Sequence, residues 1–226
     1  LSELPKIDYI IISHDHYDHL DMKSIKFFAG SDTQFVVPLG VGSHLRGWGV
    51  DSQKIVERDW WQEANFYEID FIATPAQHFS GRNGIHENET LWASWVLKSK
   101  NHKVYFSGDS GYFDGFKQIG TKYGPFDVAF IETGAYDKDW PHIHMTPEQS
   151  VQAHLDVDAK VMVPVHNGTF DLAFHAWYEP LERVSNAAAA HAVALHTPHF
   201  GQVASLTAAN WYSTGQHAWW RELMPR

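Results

Sequence analysis

The sequence contains no cysteine, and this absence removes several kinds of site at once. Disulfides, thiolate-rich structural zinc sites and cysteine nucleophiles are all excluded. The chain also lacks the Gly-x-Ser-x-Gly motif that presents a nucleophilic serine on a sharp turn. Hydrolytic chemistry in this chain would therefore rest on groups other than a thiol or a serine elbow.

Positive charge and long apolar runs are also scarce. Lysine and arginine number 17 against 27 aspartate and glutamate, which gives a formal net charge of −10. No basic run is present, so we expect no nucleic-acid partner. No apolar stretch reaches the roughly 18 to 20 residues that span a bilayer, and the first residues lack a secretory signal pattern. We therefore expect a cytoplasmic protein without a transmembrane segment, and peripheral contact with a membrane stays open.

The 226 residues are 44% hydrophobic and include ten tryptophans, which is enough to bury a substantial core. We predict a single domain over residues 1–226, in which the tail 196–226 has no assigned role. Strands are predicted near 7–13, 34–38, 66–73, 91–98, 103–107, 127–132 and 160–165. Helices are predicted at 22–29 after a cap at Asp21, from Pro147 to about Leu155, over 170–178, and from Pro180 to about His191. This alternation predicts an α/β sandwich with helices outside two sheets.

A dense cluster of possible metal ligands stands where the first predicted strand ends. His14, His16, Asp18 and His19 lie within six residues, directly after the apolar run 9–12. In an extended chain His14 and His16 point to the same side, while Asp18 and His19 fall where the chain leaves the strand. One short segment can therefore serve two neighbouring ions.

Three further candidates also follow predicted strands. They are His78, Asp109 and His166. Each is an ordinary turn feature by itself. Together, and in this order after the cluster, they indicate a metal site far more specifically. Imidazole and carboxylate ligands suit Zn²⁺, and Mn²⁺ or iron accepts similar ligands.

These motifs resemble those of the metallo-β-lactamase fold superfamily. The resemblance is closest to the branch that contains N-acyl-phosphatidylethanolamine-hydrolysing phospholipase D and its bacterial relatives. The segments that carry it are 13–21, 74–82, 91–95, 108–112, 144–149 and 164–170.

The resemblance implies a four-layer αββα sandwich with two zinc ions. One ion would be held by His14, His16 and His78, and the other by Asp18, His19 and His166. Asp109 would bridge the two ions, so Asp18 and Asp109 are predicted to act in catalysis as well as in metal binding. His144 is a third catalytic candidate, which would help the leaving oxygen gain a proton; a polar residue beside a helix is the alternative interpretation.

The implied reaction is hydrolysis of a phosphodiester, in a small molecule or a lipid, by a hydroxide shared between the two ions. Two alternatives stay open. The same centre can attack a carbonyl carbon, which would make the protein a lactonase or another carboxylic-ester or amide hydrolase. The chain can also be a non-catalytic metal-binding protein or an inactive fragment.

The position of the ligand cluster near residue 1 leads to an expectation about the N-terminal sheet. The family places several strands before this motif, whereas His14 is only the fourteenth residue here. We therefore expect that part of the N-terminal sheet is missing, and that a longer gene product or a second chain supplies those strands.

Overall fold

The computed structural model describes residues 1–82, 84, 87–208, 211–212 and 218–224. The chain forms two compact units, residues 1–101 and 102–226. The single domain over 1–226 stays a prediction. Within the described residues, no helix has the length and the apolar character needed to cross a bilayer.

The first unit begins with a three-stranded parallel sheet. Its strands are β1 (Tyr9–Ile11), β2 (Gln34–Pro38) and β3 (Ile55–Arg58), in the order β1-β2-β3. Parallel neighbours need crossover connections, which α1 (Met22–Ala29) and α2 (Gly42–Gly47) provide. Apolar side chains of β2 and of both helices form one buried cluster, which includes Ile25, Phe35, Val37 and Leu45.

An antiparallel set of three strands completes the first unit. It consists of β4 (Glu63–Asn65), β5 (Ile69–Thr74) and β6 (Ser94–Ser99), in which β5 pairs with both neighbours. Trp95 of β6 is fully buried, and its indole nitrogen donates to the backbone oxygen of Ile12 at 2.8 Å. This bond holds the chain just before the histidine cluster against β6.

The second unit is built on four parallel strands. They are β7 (Lys103–Phe106), β8 (Val128–Glu132), β9 (Val161–Val165) and β10 (Ala194–Leu195), paired in that order. The helices between them are α3 (Gly115–Tyr123), α4 (Pro147–Asp156) and α5 (Glu179–Ala190). Because parallel strands end at the same edge of a sheet, Asp109, Glu132 and His166 are brought to one edge.

Most of the predicted elements are confirmed, with shifts of a few residues at their ends. All seven predicted strands are present, and helix α1 has the expected cap, since the Asp21 carboxylate accepts from the amide of Ser24. Helix α4 opens with a capping box between Thr146 and Gln149. The short elements α2, β3, β4, α3 and β10 were not predicted.

The helix predicted over 170–178 is wrong. The structure has no regular element there, and α5 begins only at Glu179. The apolar side chains of this segment are largely exposed, so a helix would have no apolar face to bury. Local aromatic contacts hold an irregular path instead, with His175 stacked on Tyr136 and Phe174 beside Trp140.

Candidate metal centre

The loop after β1 carries the histidine cluster. Strand β1 ends at Ile11, so His14 and His16 lie beyond the strand rather than within it. The chain then turns sharply, because the amides of His19 and Leu20 both donate to the backbone oxygen of His16, at 3.1 and 2.8 Å. This turn places Asp18 and His19 beside each other, with 3.2 Å between the Asp18 carboxylate and His19 Nε2.

His14, His16 and His78 converge although His78 is 62 residues away from His16 in sequence. His16 Nδ1 lies 2.9 Å from His14 Nε2 and 3.3 Å from His78 Nε2. A tetrahedral zinc ion with bonds of roughly 2.0 to 2.1 Å spaces its ligand nitrogens about 3.3 Å apart. Three imidazole nitrogens at these separations therefore fit a shared zinc ion.

His14 and His78 are buried while His16 is partly exposed, and contacts from outside the cluster hold the rings. His14 is 1% exposed and His78 is 9% exposed. The Ser13 hydroxyl lies 3.0 Å from His14 Nδ1, the ring nitrogen that does not face His16. A hydrogen bond at the far nitrogen fixes the tautomer and orientation of a ligand imidazole. Phe79 packs edge-on against the His16 ring and beside the His78 ring.

Asp15 lies between His14 and His16, and sequence reasoning gave it no role. Its buried carboxylate contacts His44 Nε2 at 3.2 Å and accepts from the amide of Gly81 at 2.7 Å. Burial by itself would raise the pKa of this carboxyl, but the hydrogen bonds outweigh that effect and leave the pKa of Asp15 lowered. Asp15 is thus an ionised group that ties the cluster loop to the loop after His78.

Asp109 and His166 meet in the second unit, at the ends of β7 and β9. Asp109 Oδ2 lies 3.4 Å from His166 Nε2, and the Asp109 side chain is 3% exposed. His166 has a φ of 61°, in the left-handed region that non-glycine residues seldom adopt. Gly134 allows this backbone to approach, because a Cβ at that position would lie 2.1 Å from the His166 carbonyl oxygen.

His144 is held by Glu132, the last residue of β8. The His144 Nδ1 donates to Glu132 Oε1 at 2.5 Å, and Glu132 Oε2 accepts from the amide of Ser110 at 2.9 Å. Glu132 is fully buried, and this burial raises the pKa of its carboxyl. The His144 ring also stacks on the His166 ring, with 5.4 Å between centroids and 10° between planes. Sequence reasoning singled out His144 but did not pair it with Glu132.

A cavity of about 460 Å³ opens beside His144 in the second unit. Its walls include the aromatic pair Tyr136 and His175 and the largely exposed Phe174. The cavity opens next to the imidazole that contacts Glu132.

Each unit therefore brings together its own share of the predicted ligands. His14, His16 and His78 form a cluster in the first unit, where Asp18 and His19 are also neighbours. Asp109 and His166 are neighbours in the second unit. The division of all seven residues between two ions, with Asp109 shared, stays a prediction.

Comparison with known proteins gives matches to one family over most of the chain. The family model described as "Beta-lactamase superfamily domain" matches residues 1–167. An uncharacterised protein of Mycobacterium tuberculosis is 48% identical over 98% of this chain, and the chain spans 59% of that relative's length.

Some relatives and solved structures carry functional names, among them a phospholipase and a metallo hydrolase. The N-acyl-phosphatidylethanolamine-hydrolyzing phospholipase D 1 of Caenorhabditis elegans is 35% identical over 81% of this chain and 55% of its own length. The metallo hydrolase Igni18 of Ignicoccus hospitalis superposes with a TM-score of 0.68 at 21% identity, over 86% of this chain and 77% of that one. At this identity the second likeness concerns the fold alone. The chain thus spans a little over half of the curated relatives that it matches.

Proposed function

This chain belongs to the beta-lactamase superfamily, and we propose that it is a metal-dependent hydrolase that cleaves a phosphodiester bond, with a lipid such as an N-acyl-phosphatidylethanolamine as its substrate. One observation carries the metal dependence, namely the convergence of ring nitrogens from His14, His16 and His78 at 2.9 and 3.3 Å. The choice of phosphodiester is supported by the 35% identity to the worm phospholipase D.

The proposed ligands divide as the resemblance implies. His14, His16 and His78 would hold one zinc ion, Asp18, His19 and His166 would hold a second, and Asp109 would contribute to both. Zinc bound at these side chains would lower the pKa of a water molecule and offset negative charge that develops on the phosphoryl oxygens. The low exposure of the cluster strengthens such electrostatic effects, because little water is present to screen them.

The chain itself supplies a proton in this proposal. Hydrolysis forms a bond between a water oxygen and phosphorus and breaks the bond from phosphorus to the leaving alcohol oxygen, which must then gain a proton. The His144 Nδ1 is committed to Glu132 at 2.5 Å. Proton donation to the leaving oxygen is therefore assigned to Nε2 of the His144 imidazolium, which is left as a neutral imidazole and regains the proton that the attacking water loses. The adjacent cavity of about 460 Å³ receives the leaving group.

A substrate panel tests this function. Metal-reconstituted protein would be assayed with N-acyl-phosphatidylethanolamine in mixed micelles, a bis-aryl phosphodiester, an acyl-homoserine lactone and a chromogenic β-lactam, each with and without a chelator. We expect turnover of both phosphodiesters that is abolished by chelation. Turnover of the lactone or the β-lactam alone would overturn the phosphodiester assignment, and zinc-loaded protein without any turnover would indicate a non-catalytic metal-binding protein.

A pair of histidine variants tests the role of His144. The H144A variant should lower kcat by roughly 100-fold or more, because general acid catalysis contributes about 10²- to 10⁴-fold. Its loss should be smaller for the bis-aryl substrate, whose leaving group needs little protonation. The matched control is H191A, which changes an exposed histidine at the end of α5. Equal rates for H144A and H191A would remove His144 from the reaction.

A further inference from the structure

One arginine side chain joins the two loops that carry the three-histidine cluster. Arg82 follows His78 by four residues, and its Nη1 donates to the backbone oxygens of Asp15 at 2.6 Å and Leu20 at 2.8 Å. These two carbonyls flank the segment 16–19, which carries His16, Asp18 and His19. A single nitrogen therefore braces the ligand turn at both of its ends.

A second bond runs in the opposite direction between the same loops. The Asp15 carboxylate accepts from the amide of Gly81 through Oδ1 at 2.7 Å, and its Oδ2 lies 3.2 Å from His44 Nε2 on α2. The side chain of Arg82 thus donates to the backbone of the His14–His16 loop. In turn, the side chain of Asp15 in that loop accepts from the backbone of Gly81, the residue before Arg82. The two loops are joined by a closed ring of hydrogen bonds just outside the cluster.

Packing fixes the plane of the Arg82 guanidinium. Its central carbon lies 4.1 Å from the centroid of the Tyr17 ring and 5.1 Å from that of the Trp48 ring. A planar delocalised cation can stack on aromatic faces while its edge donates hydrogen bonds, whereas an ammonium group cannot do both in one plane. The site therefore uses the shape of arginine as well as its charge.

We propose that Arg82 is a positioning residue that sets the metal affinity of the His14, His16 and His78 cluster without being a ligand. It holds the loop of His16 in register with the loop of His78, so that their ring nitrogens stay at the separation a metal ion requires. This inference rests on the proposed function, because it takes the three histidines as metal ligands. Groups that orient ligands from outside typically change metal affinity by roughly 10- to 100-fold when removed.

The chain provides a matched control in Arg58. This arginine also belongs to the first unit and is half-buried, and it also donates to two backbone oxygens, those of Glu57 and Glu63, both at 2.8 Å. It lies on β3, and neither of its bonds reaches a loop that carries a predicted ligand. Removing Arg58 should therefore cost similar backbone hydrogen bonds without disturbing the cluster.

Zinc affinity separates positioning from general stability. Metal-depleted wild type, R82A, R82K and R58A would be titrated with zinc against a chromogenic chelator, and their unfolding would be followed without metal. We expect R82A to weaken the tightest zinc site by about 10- to 100-fold, R82K to give an intermediate loss, and R58A to stay within about twofold of wild type. Addition of millimolar guanidinium, but not sodium, should restore part of the affinity of R82A.

Each remaining outcome has a definite meaning. Wild-type zinc affinity in R82A, or an equal loss in R58A, would overturn the positioning role while leaving the proposed hydrolase intact. A loss of zinc affinity in R82A in a protein that cleaves no phosphodiester would uphold the positioning role and refute the proposed substrate. Wild-type protein that binds no zinc would contradict both.

Discussion

At the scale of single residues, the backbone of His166 is held in an unusual conformation by its neighbours. A φ of 61° is seldom populated by residues with a side chain, and it persists only where the surroundings enforce it. Here the absence of a side chain at Gly134 leaves room for the His166 carbonyl. The geometry of a predicted metal ligand therefore depends on a residue that has no polar group of its own.

Substitution of Gly134 tests this dependence. In G134A the new Cβ would meet the His166 backbone oxygen at 2.1 Å, so the backbone has to move. We expect a loss of about 1 to 3 kcal/mol in the free energy of unfolding, measured by denaturant titration without metal, together with weaker zinc binding. The control is G30A, because no atom lies within 4 Å of a Cβ built at Gly30. Equal stability of the two variants would refute the close approach.

Sequence reasoning reached the candidate ligands more readily than the residues around them. His14 and His16 could be identified because their spacing is itself the signal, and His78 followed from its place after a strand. The hydrogen bonds that Asp15 and Arg82 make between two loops could not be predicted, because they depend on how the fold brings those loops together. The pairing of Glu132 with His144 could not be predicted, because it depends on the path of the loop between β8 and α4.

At the scale of elements, helix α4 shows how a local signal fixes a boundary next to the site. The Thr146 hydroxyl accepts from the amide of Gln149, and the Gln149 side chain accepts from the amide of Thr146. This capping box satisfies amides that the first helical turn leaves without helical partners. Because Thr146 comes two residues after His144, the start of the helix also limits where that imidazole can lie.

Removal of the cap tests its contribution. T146A should lower the free energy of unfolding by about 1 kcal/mol, the usual cost of losing an N-cap side chain. T121A is a suitable control, because the exposed Thr121 hydroxyl of α3 donates to the backbone oxygen of Lys117, one turn earlier in the same helix. Chemical denaturation of both variants would measure the difference. If the capping side chain does not stabilise the protein, T146A and T121A will have the same denaturation midpoint.

Short length explains why sequence reasoning missed two of the strands. Strands β3 and β4 have only four and three residues, too few for an alternating pattern to be recognised. The wrongly predicted helix at 170–178 shows the opposite failure, since its many apolar residues suggested a buried face. In the structure Phe170 and Phe174 are 60% and 86% exposed.

At the scale of the whole molecule, the order of the motifs along the chain was sufficient to predict the fold family. The matched family covers residues 1–167, a range that includes all seven predicted ligands and His144. The division into two compact units could not be predicted, because no linker or change of composition marks residue 101. The chain spans about three fifths of the length of the mycobacterial relative.

The proposed zinc-dependent hydrolysis can be tested by titrating the metal-depleted chain with zinc. Bound zinc and phosphodiester turnover would be recorded in the same sample. We predict that turnover appears as zinc binds and reaches its maximum when about two ions are bound per chain, as expected for a site with seven such ligands. The H16A variant, which lacks the central ring of the cluster, should bind less zinc and show little turnover. Turnover that is the same before and after zinc is added, or that is unchanged in H16A, would contradict the proposed zinc-dependent hydrolysis.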